Sequence, residues 1–116
     1  MNERYQGSCH CGNVSFEIIA DLNSVFICNC SFCIRRSATL VKTTKENFTL
    51  NSDENNLKSY GNNGVSRHYF CPDCGIHCFT KITKEGSESV VSNVGCLEGA
   101  NVLELKPSLF DGANKL

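Results

Sequence analysis

The sequence predicts a mainly β fold built from small antiparallel sheets stapled by zinc. Three observations carry this reading. Apolar residues alternate over short stretches interrupted by turn residues, the pattern of half-buried strands. No convincing amphipathic helix runs over ten residues. Nine cysteines in 116 residues fall in close groups, which suit metal staples in a small domain.

In chain order, Ser8 to Gly12 reads as a tight polar loop holding Cys9 and Cys11. Val14 to Ala20 begins with Val14, Phe16 and Ile18 on one face and Ser15 and Glu17 on the other, a strand with one buried side. Asp21 to Asn23 reads as a turn, and Ser24 to Ile27 as a short buried strand delivering Cys28. Cys28 to Arg36 is crowded with candidate ligands and reads as a metal loop closing in a helical turn after Ser31. Thr39 to Thr44 is β-branched and strand-like, with Phe48 to Leu50 as a further strand. Ser52 to Asn56 is a polar connection; Leu57 to Tyr60 extends again before a turn at Gly61 to Gly64. Ser66 to Phe70 leads into a second metal loop, Cys71 to Gly75. Ile76 to Thr83 and Glu88 to Val94 read as strands joined by a turn at Lys84 to Gly86. Leu103 and Leu105 alternate briefly, Pro107 stops that run, and the final Gly112 to Leu116 is expected to be loose.

A chain of this length makes one domain, residues 1–116, with a core from about residue 7 to 105 and little apolar surface to spare. The absence of a long apolar run excludes a membrane-spanning helix. The opening residues lack a signal peptide's apolar stretch, which points to the cytoplasm. Eleven basic against twelve acidic residues give a net charge of -1, which speaks against a nucleic-acid partner.

A disulfide scaffold is opposed by the odd number of cysteines, the cytoplasmic expectation and the spacing. Cys9 and Cys11 are one residue apart, as are Cys28 and Cys30, and such pairs suit chelation of one ion. The strongest constellation joins Cys9 and Cys11 to the Cys71-Pro72-Asp73-Cys74 loop: four soft ligands for a closed, structural zinc, linking the N-terminus to the second half of the chain. The second is Cys28, Cys30 and Cys33 with no obvious fourth ligand. Three protein ligands and one open position form the pattern of a catalytic zinc. The alternative is a closed site that recruits Cys96, Cys78 or a histidine. Cys78 otherwise reads as a small buried hydrophobe, and Cys96 as either core or site lining. His10, His68 and His77 have no partner at ligand spacing and are expected at the surface or beside a metal, not on it. Arg35, Arg36 and Arg67 flank the cysteine loops and suit an anionic cofactor or substrate, or offset of thiolate charge.

Three stretches resemble one family. Gly7-Ser8-Cys9-His10-Cys11-Gly12-Asn13-Val14, Cys28-Asn29-Cys30-Ser31-Phe32-Cys33-Ile34-Arg35-Arg36 and Arg67-His68-Tyr69-Phe70-Cys71-Pro72-Asp73-Cys74-Gly75 resemble, in order, the signatures of the glutathione-dependent formaldehyde-activating enzymes, a family that also includes a centromere protein of animals. The resemblance spans about Gly7 to Leu105. It implies an Mss4-like fold and two zinc ions per chain: one structural on Cys9, Cys11, Cys71 and Cys74, and one labile and catalytic on Cys28, Cys30 and Cys33. It also implies a carbon–sulfur lyase-type reaction on a small thiol, forming S-hydroxymethylglutathione from formaldehyde and glutathione. Ser37-Ala38 and Cys96 depart from the usual pattern, and a Cys96 that reached the second zinc would close its open position. The competing expectation is a non-catalytic zinc protein that binds a protein partner or acts like a chaperone.

Overall fold

The computed structural model describes residues 2–61 and 64–115. The strands are β1 (Glu3–Ser8), β2 (Ser15–Ala20), β3 (Phe26–Cys28), β4 (Leu40–Thr44), β5 (Phe48–Leu50), β6 (Lys58–Tyr60), β7 (Ser66–Phe70), β8 (His77–Lys84), β9 (Ser87–Asn93) and β10 (Ser108–Phe110). Two short helices, α1 (Ser31–Arg36) and α2 (Gly112–Lys115), complete the chain. The fold is mainly β, in a three-stranded sheet ordered β1-β2-β5 and a seven-stranded sheet ordered β10-β3-β4-β9-β8-β7-β6. No helix among the described residues is long and apolar enough to cross a membrane.

The sheets pack through the residues the alternation placed inward. Val14, Phe16, Ile18, Val41, Phe79, Val90 and Val94 are fully enclosed or nearly so. Phe16 of the smaller sheet meets Phe79 of the larger edge-on at 6.0 Å between centroids, and Phe48 lies 4.7 Å from Phe79. Thr43 Oγ1 donates to the Ile19 carbonyl at 2.8 Å, a polar tie between the sheets.

Several expectations need correction. Glu3 to Ser8 forms an edge strand although its residues are mostly polar, because β1 pairs with β2 along its whole length, from Glu3↔Ala20 to Ser8↔Ser15. Gly7 sits opposite Phe16, and a β-carbon there would run into the tip of that ring. The short strand expected from Ser24 begins at Phe26, because Leu22–Ser24 is a helical turn capped by the Asp21 side chain. Lys84 belongs to β8; the hairpin turn is Glu85 and Gly86 alone, both at positive φ (54° and 79°). Val94 leaves the strand for a helical turn, and Leu103 lies in another such turn, Val102–Glu104, instead of alternating as a strand. The tail expected to be loose from Gly112 forms α2 as far as Lys115, and before it β10 pairs with β3 in parallel, the one parallel pairing among the described strands. Asn62 and Asn63 of the expected turn at Gly61 to Gly64, and Leu116 at the end, lie outside the described residues.

Candidate metal centres

The first centre forms where two loops meet. After β1 the chain turns through Gly12 (φ 88°), and Cys9 N–H donates to the Val14 carbonyl at 3.0 Å. The facing loop closes when Gly75 (φ 77°) donates to the Cys71 carbonyl at 2.8 Å. A side-chain hydrogen bond from Asn13 to Asp73 ties the loops together. Cys9, Cys11, Cys71 and Cys74 thereby bring their sulfurs within 4.8 Å of one another. The Cys9–Cys11 and Cys11–Cys71 sulfur separations are both 3.6 Å. Zinc–sulfur bonds of about 2.3 Å give a tetrahedral edge of roughly 3.8 Å, so the group fits a four-thiolate ion. Backbone N–H groups of Cys11 and Ile76 point at the Cys74 sulfur; with Cys71 and His10 they hold its pKa down to about 6. These donors favour the thiolate form that a metal requires.

The second centre is local. β3 delivers Cys28, and α1 begins at once. Cys30 is the N-cap of that helix: its sulfur accepts from the Cys33 N–H at 3.4 Å. The helix stops at Ser37, which takes the left-handed conformation (φ 56°) and donates to the Cys33 carbonyl at 2.9 Å. Cys28, Cys30 and Cys33 place their sulfurs within 4.8 Å of one another, all half-buried, with no fourth ligating side chain among the described residues. Asn29, between two of them, accepts from the Ala113 N–H at 2.9 Å and donates to Asp111 at 3.0 Å. The segment after β10 therefore frames this loop.

Charge is concentrated at Arg36. Its Nη2 donates to the Cys33 sulfur at 3.2 Å, while Nε and Nη1 are enclosed without partners. Burial lowers the guanidinium pKa, and the Cys33, Cys30 and Cys28 sulfurs oppose that. Burial pushes Cys33 up to about 12 despite Arg36. Burial also acts to raise Cys30, but the Cys33 N–H and the other two thiols outweigh it, so Cys30 ionises below the ordinary range. An enclosed guanidinium is costly beside neutral thiols and compensated beside thiolates. Three thiolates around one divalent ion carry a single negative charge, which Arg36 cancels. The donor set and this orphaned cation both fit a metal.

The other flanking residues separate. Arg35 turns back to the Ser31 carbonyl at 2.6 Å on its own helix and is exposed. Arg67 binds Ser59 Oγ at 2.9 Å and the Gly61 carbonyl. Cys78 is fully buried, as expected. Cys96 interacts with Cys78 and points its sulfur at the His77 carbonyl, 3.6 Å away, so it joins neither centre. His10 is exposed. His77 is not at the surface: it is 9% exposed, inside the larger sheet.

A profile of the glutathione-dependent formaldehyde-activating enzymes matches residues 4–111, nearly the whole chain. The chain belongs to that family. The match covers all seven clustered cysteines. A candidate glutathione-dependent formaldehyde-activating enzyme of Talaromyces marneffei is 31% identical over 85 residues, which is 66% of this chain and 44% of that protein. The chain thus spans under half the length of this relative. A crystal structure of a Rhodobacter sphaeroides protein superposes with a TM-score of 0.79 at 30% identity, covering 90% of this chain and 97% of that one.

Proposed function

We propose that this member of the family is a single-domain zinc protein with an Mss4-like fold, in which Cys9, Cys11, Cys71 and Cys74 hold a structural ion. Cys28, Cys30 and Cys33 hold a second, exchangeable ion where a small thiol joins an aldehyde. The reaction is of the carbon–sulfur lyase type, and the family's named substrates, glutathione and formaldehyde, are the first to test. One observation carries the reading: a group of three cysteines with no fourth protein ligand among the described residues, beside an enclosed arginine. Bound there, zinc would supply a positive centre that stabilises a thiol as thiolate and orients it.

The chain's own residues do the rest. Arg36 offsets the charge of the cysteine group and favours a second anion beside it. Of the three flanking arginines it is the one in contact with a cysteine of that group. Cys30 ties the metal group to the start of α1, so loss or exchange of a ligand is felt by the helix that carries Arg36. In the reaction the thiolate sulfur bonds to the aldehyde carbon, the carbonyl π pair moves to oxygen, and that oxygen takes a proton.

The test is metal content with free-thiol count on protein purified without oxygen and with zinc, before and after glutathione. Two ions, one removed by mild chelation and perturbed by glutathione, support the reading. Two ions that both resist chelation and ignore glutathione overturn it and favour a protein-binding module.

A further inference from the structure

Two cysteines lie outside both metal groups, and the fold brings them to one peptide unit. Cys78 is the second residue of β8 and is fully buried. Cys96 ends the helical turn Val94–Cys96 that follows β9. β8 and β9 stay paired as far as Phe79↔Ser92, so that turn begins beside the start of β8. Asn93 fixes the junction. Its Nδ2 donates to the His77 carbonyl at 2.9 Å, and its Oδ1 accepts from the Gly95 N–H at 3.1 Å. Cys96 Sγ reaches the same His77 carbonyl at 3.6 Å, and that carbonyl belongs to the peptide leading into Cys78. Cys78 Sγ donates to the carbonyl one residue earlier, that of Ile76, at 3.5 Å.

The two thiols are unequal. Cys78 has no exposed surface, whereas Cys96 is only half-buried. Each neutral thiol has a carbonyl to donate to, and once Cys96 loses its proton the Cys78 S–H is a donor beside it. That contact holds Cys96 down against its burial, while the same contact and burial push Cys78 up. Two sulfurs are too few for a zinc site. A reachable thiol backed by an enclosed one is instead the arrangement that thiol–disulfide exchange uses.

We propose that Cys78 and Cys96 form a dithiol–disulfide site that exchanges with a small disulfide such as glutathione disulfide, with Cys96 the attacking thiol and Cys78 the resolving one. The proposal is independent of the reading of the three-cysteine group. Cys96 thiolate attacks one sulfur of the small disulfide; the S–S bond there breaks, and the released thiolate takes up the proton that Cys96 gave. Cys78 then attacks the Cys96 sulfur, the mixed bond breaks, and the second small thiolate leaves with the Cys78 proton. The protein loses two electrons and the small disulfide gains them, becoming two thiols. The new bond would join the same parts of the chain as the four-cysteine group. Leu97, next to Cys96, bridges to Gly7 just before Cys9, and Cys78 follows the loop of Cys71 and Cys74.

The test holds the zinc-loaded protein in buffers of reduced and oxidised glutathione at stepped ratios, quenches it by alkylation and maps the cysteines by fragmentation mass spectrometry. The expected product is a Cys78–Cys96 disulfide, with Cys9, Cys11, Cys71 and Cys74 recovered as thiols. In Cys78→Ala the same buffers should leave glutathione attached at Cys96. In Cys96→Ala, Cys78 should remain a thiol. Recovery of Cys78 and Cys96 as thiols at every ratio, a bond from either to another cysteine, or glutathione on Cys78 in Cys96→Ala overturns the proposal. The map of the unsubstituted protein decides the case even if a variant fails to fold.

Discussion

Arg36 Nη2 lies 3.2 Å from the Cys33 sulfur, a contact made within one helix between residues three apart. One turn of α1 thus presents a thiol and a cation to the same point. A positive charge there lowers the cost of ionising Cys33, although burial still dominates. In metal-free protein, Arg36→Met is expected to make Cys33 harder still to ionise and slower to alkylate at a given pH. Rates of alkylation against pH should show it, and Arg35→Met should leave them unchanged.

Cys71→Ser removes a sulfur from the four-cysteine group and leaves a hydroxyl in a fully enclosed position. The expected result is loss of one zinc per chain and several kcal/mol of stability. Metal analysis and thermal melts check both. Cys33→Ser should lose the other zinc while keeping most of the melting temperature.

Gly7→Ala forces a methyl group into the Phe16 ring. Overpacking of this kind costs about 1–3 kcal/mol. Urea denaturation should show a lower midpoint with an unchanged slope, because the strain lies between β1 and β2 and not in the extent of unfolding.

Stability should depend on pH through His77 and His68. Both have folded values below the ordinary 6.5, His77 about 3 and His68 about 4. The unfolded chain therefore binds more protons over that window. Their contribution is complete above about pH 6.5 and is lost as pH falls toward 3, at most roughly 1.4 kcal/mol per pH unit for His77. Denaturant titrations at pH 7 and pH 5, with imidazole NMR to follow ring charge, test the direction. Rings that charge at 6.5 in the folded protein would contradict it.

Asn29→Ala removes the bonds to Ala113 and Asp111. At about 1 kcal/mol each, the loss should make amide exchange across Ser108–Lys115 roughly thirtyfold faster. The unframed cysteine loop should release its ion more readily.

Legibility in the sequence followed the range of the interactions. The cysteine groups were readable because ligand spacing is local chemistry, and β2, β5 and β8 because their alternation reports a buried face. β1 escaped notice because Arg4 and Gln6 both bond Glu17 on the neighbouring strand, and such ties leave no apolar pattern. β10 escaped because parallel pairing with β3 brings together segments some eighty residues apart. His77 was misplaced because the register shifts between Tyr69 and Phe70, where Phe70 pairs with His77 and Cys78 is skipped. That bulge turns His77 onto the face of Thr80, where simple alternation would oppose them. Nor could spacing single out Arg36, since Arg35 differs only in which side of one helical turn it occupies.

The separation of the sulfurs also sets an order in time. Cys11 and Cys71 touch across sixty residues, whereas Cys28, Cys30 and Cys33 are complete within a single short loop. In a refolding chain short of metal, the local trio meets an ion first, because closing a short loop takes less entropy than closing a long one. The four-sulfur group is assembled only when the sheets meet, and it then binds more tightly by denticity. Were both groups to take metal, the trio would be the first to close and the four-sulfur group the last, so the staple would form only in a chain whose two sheets have already met.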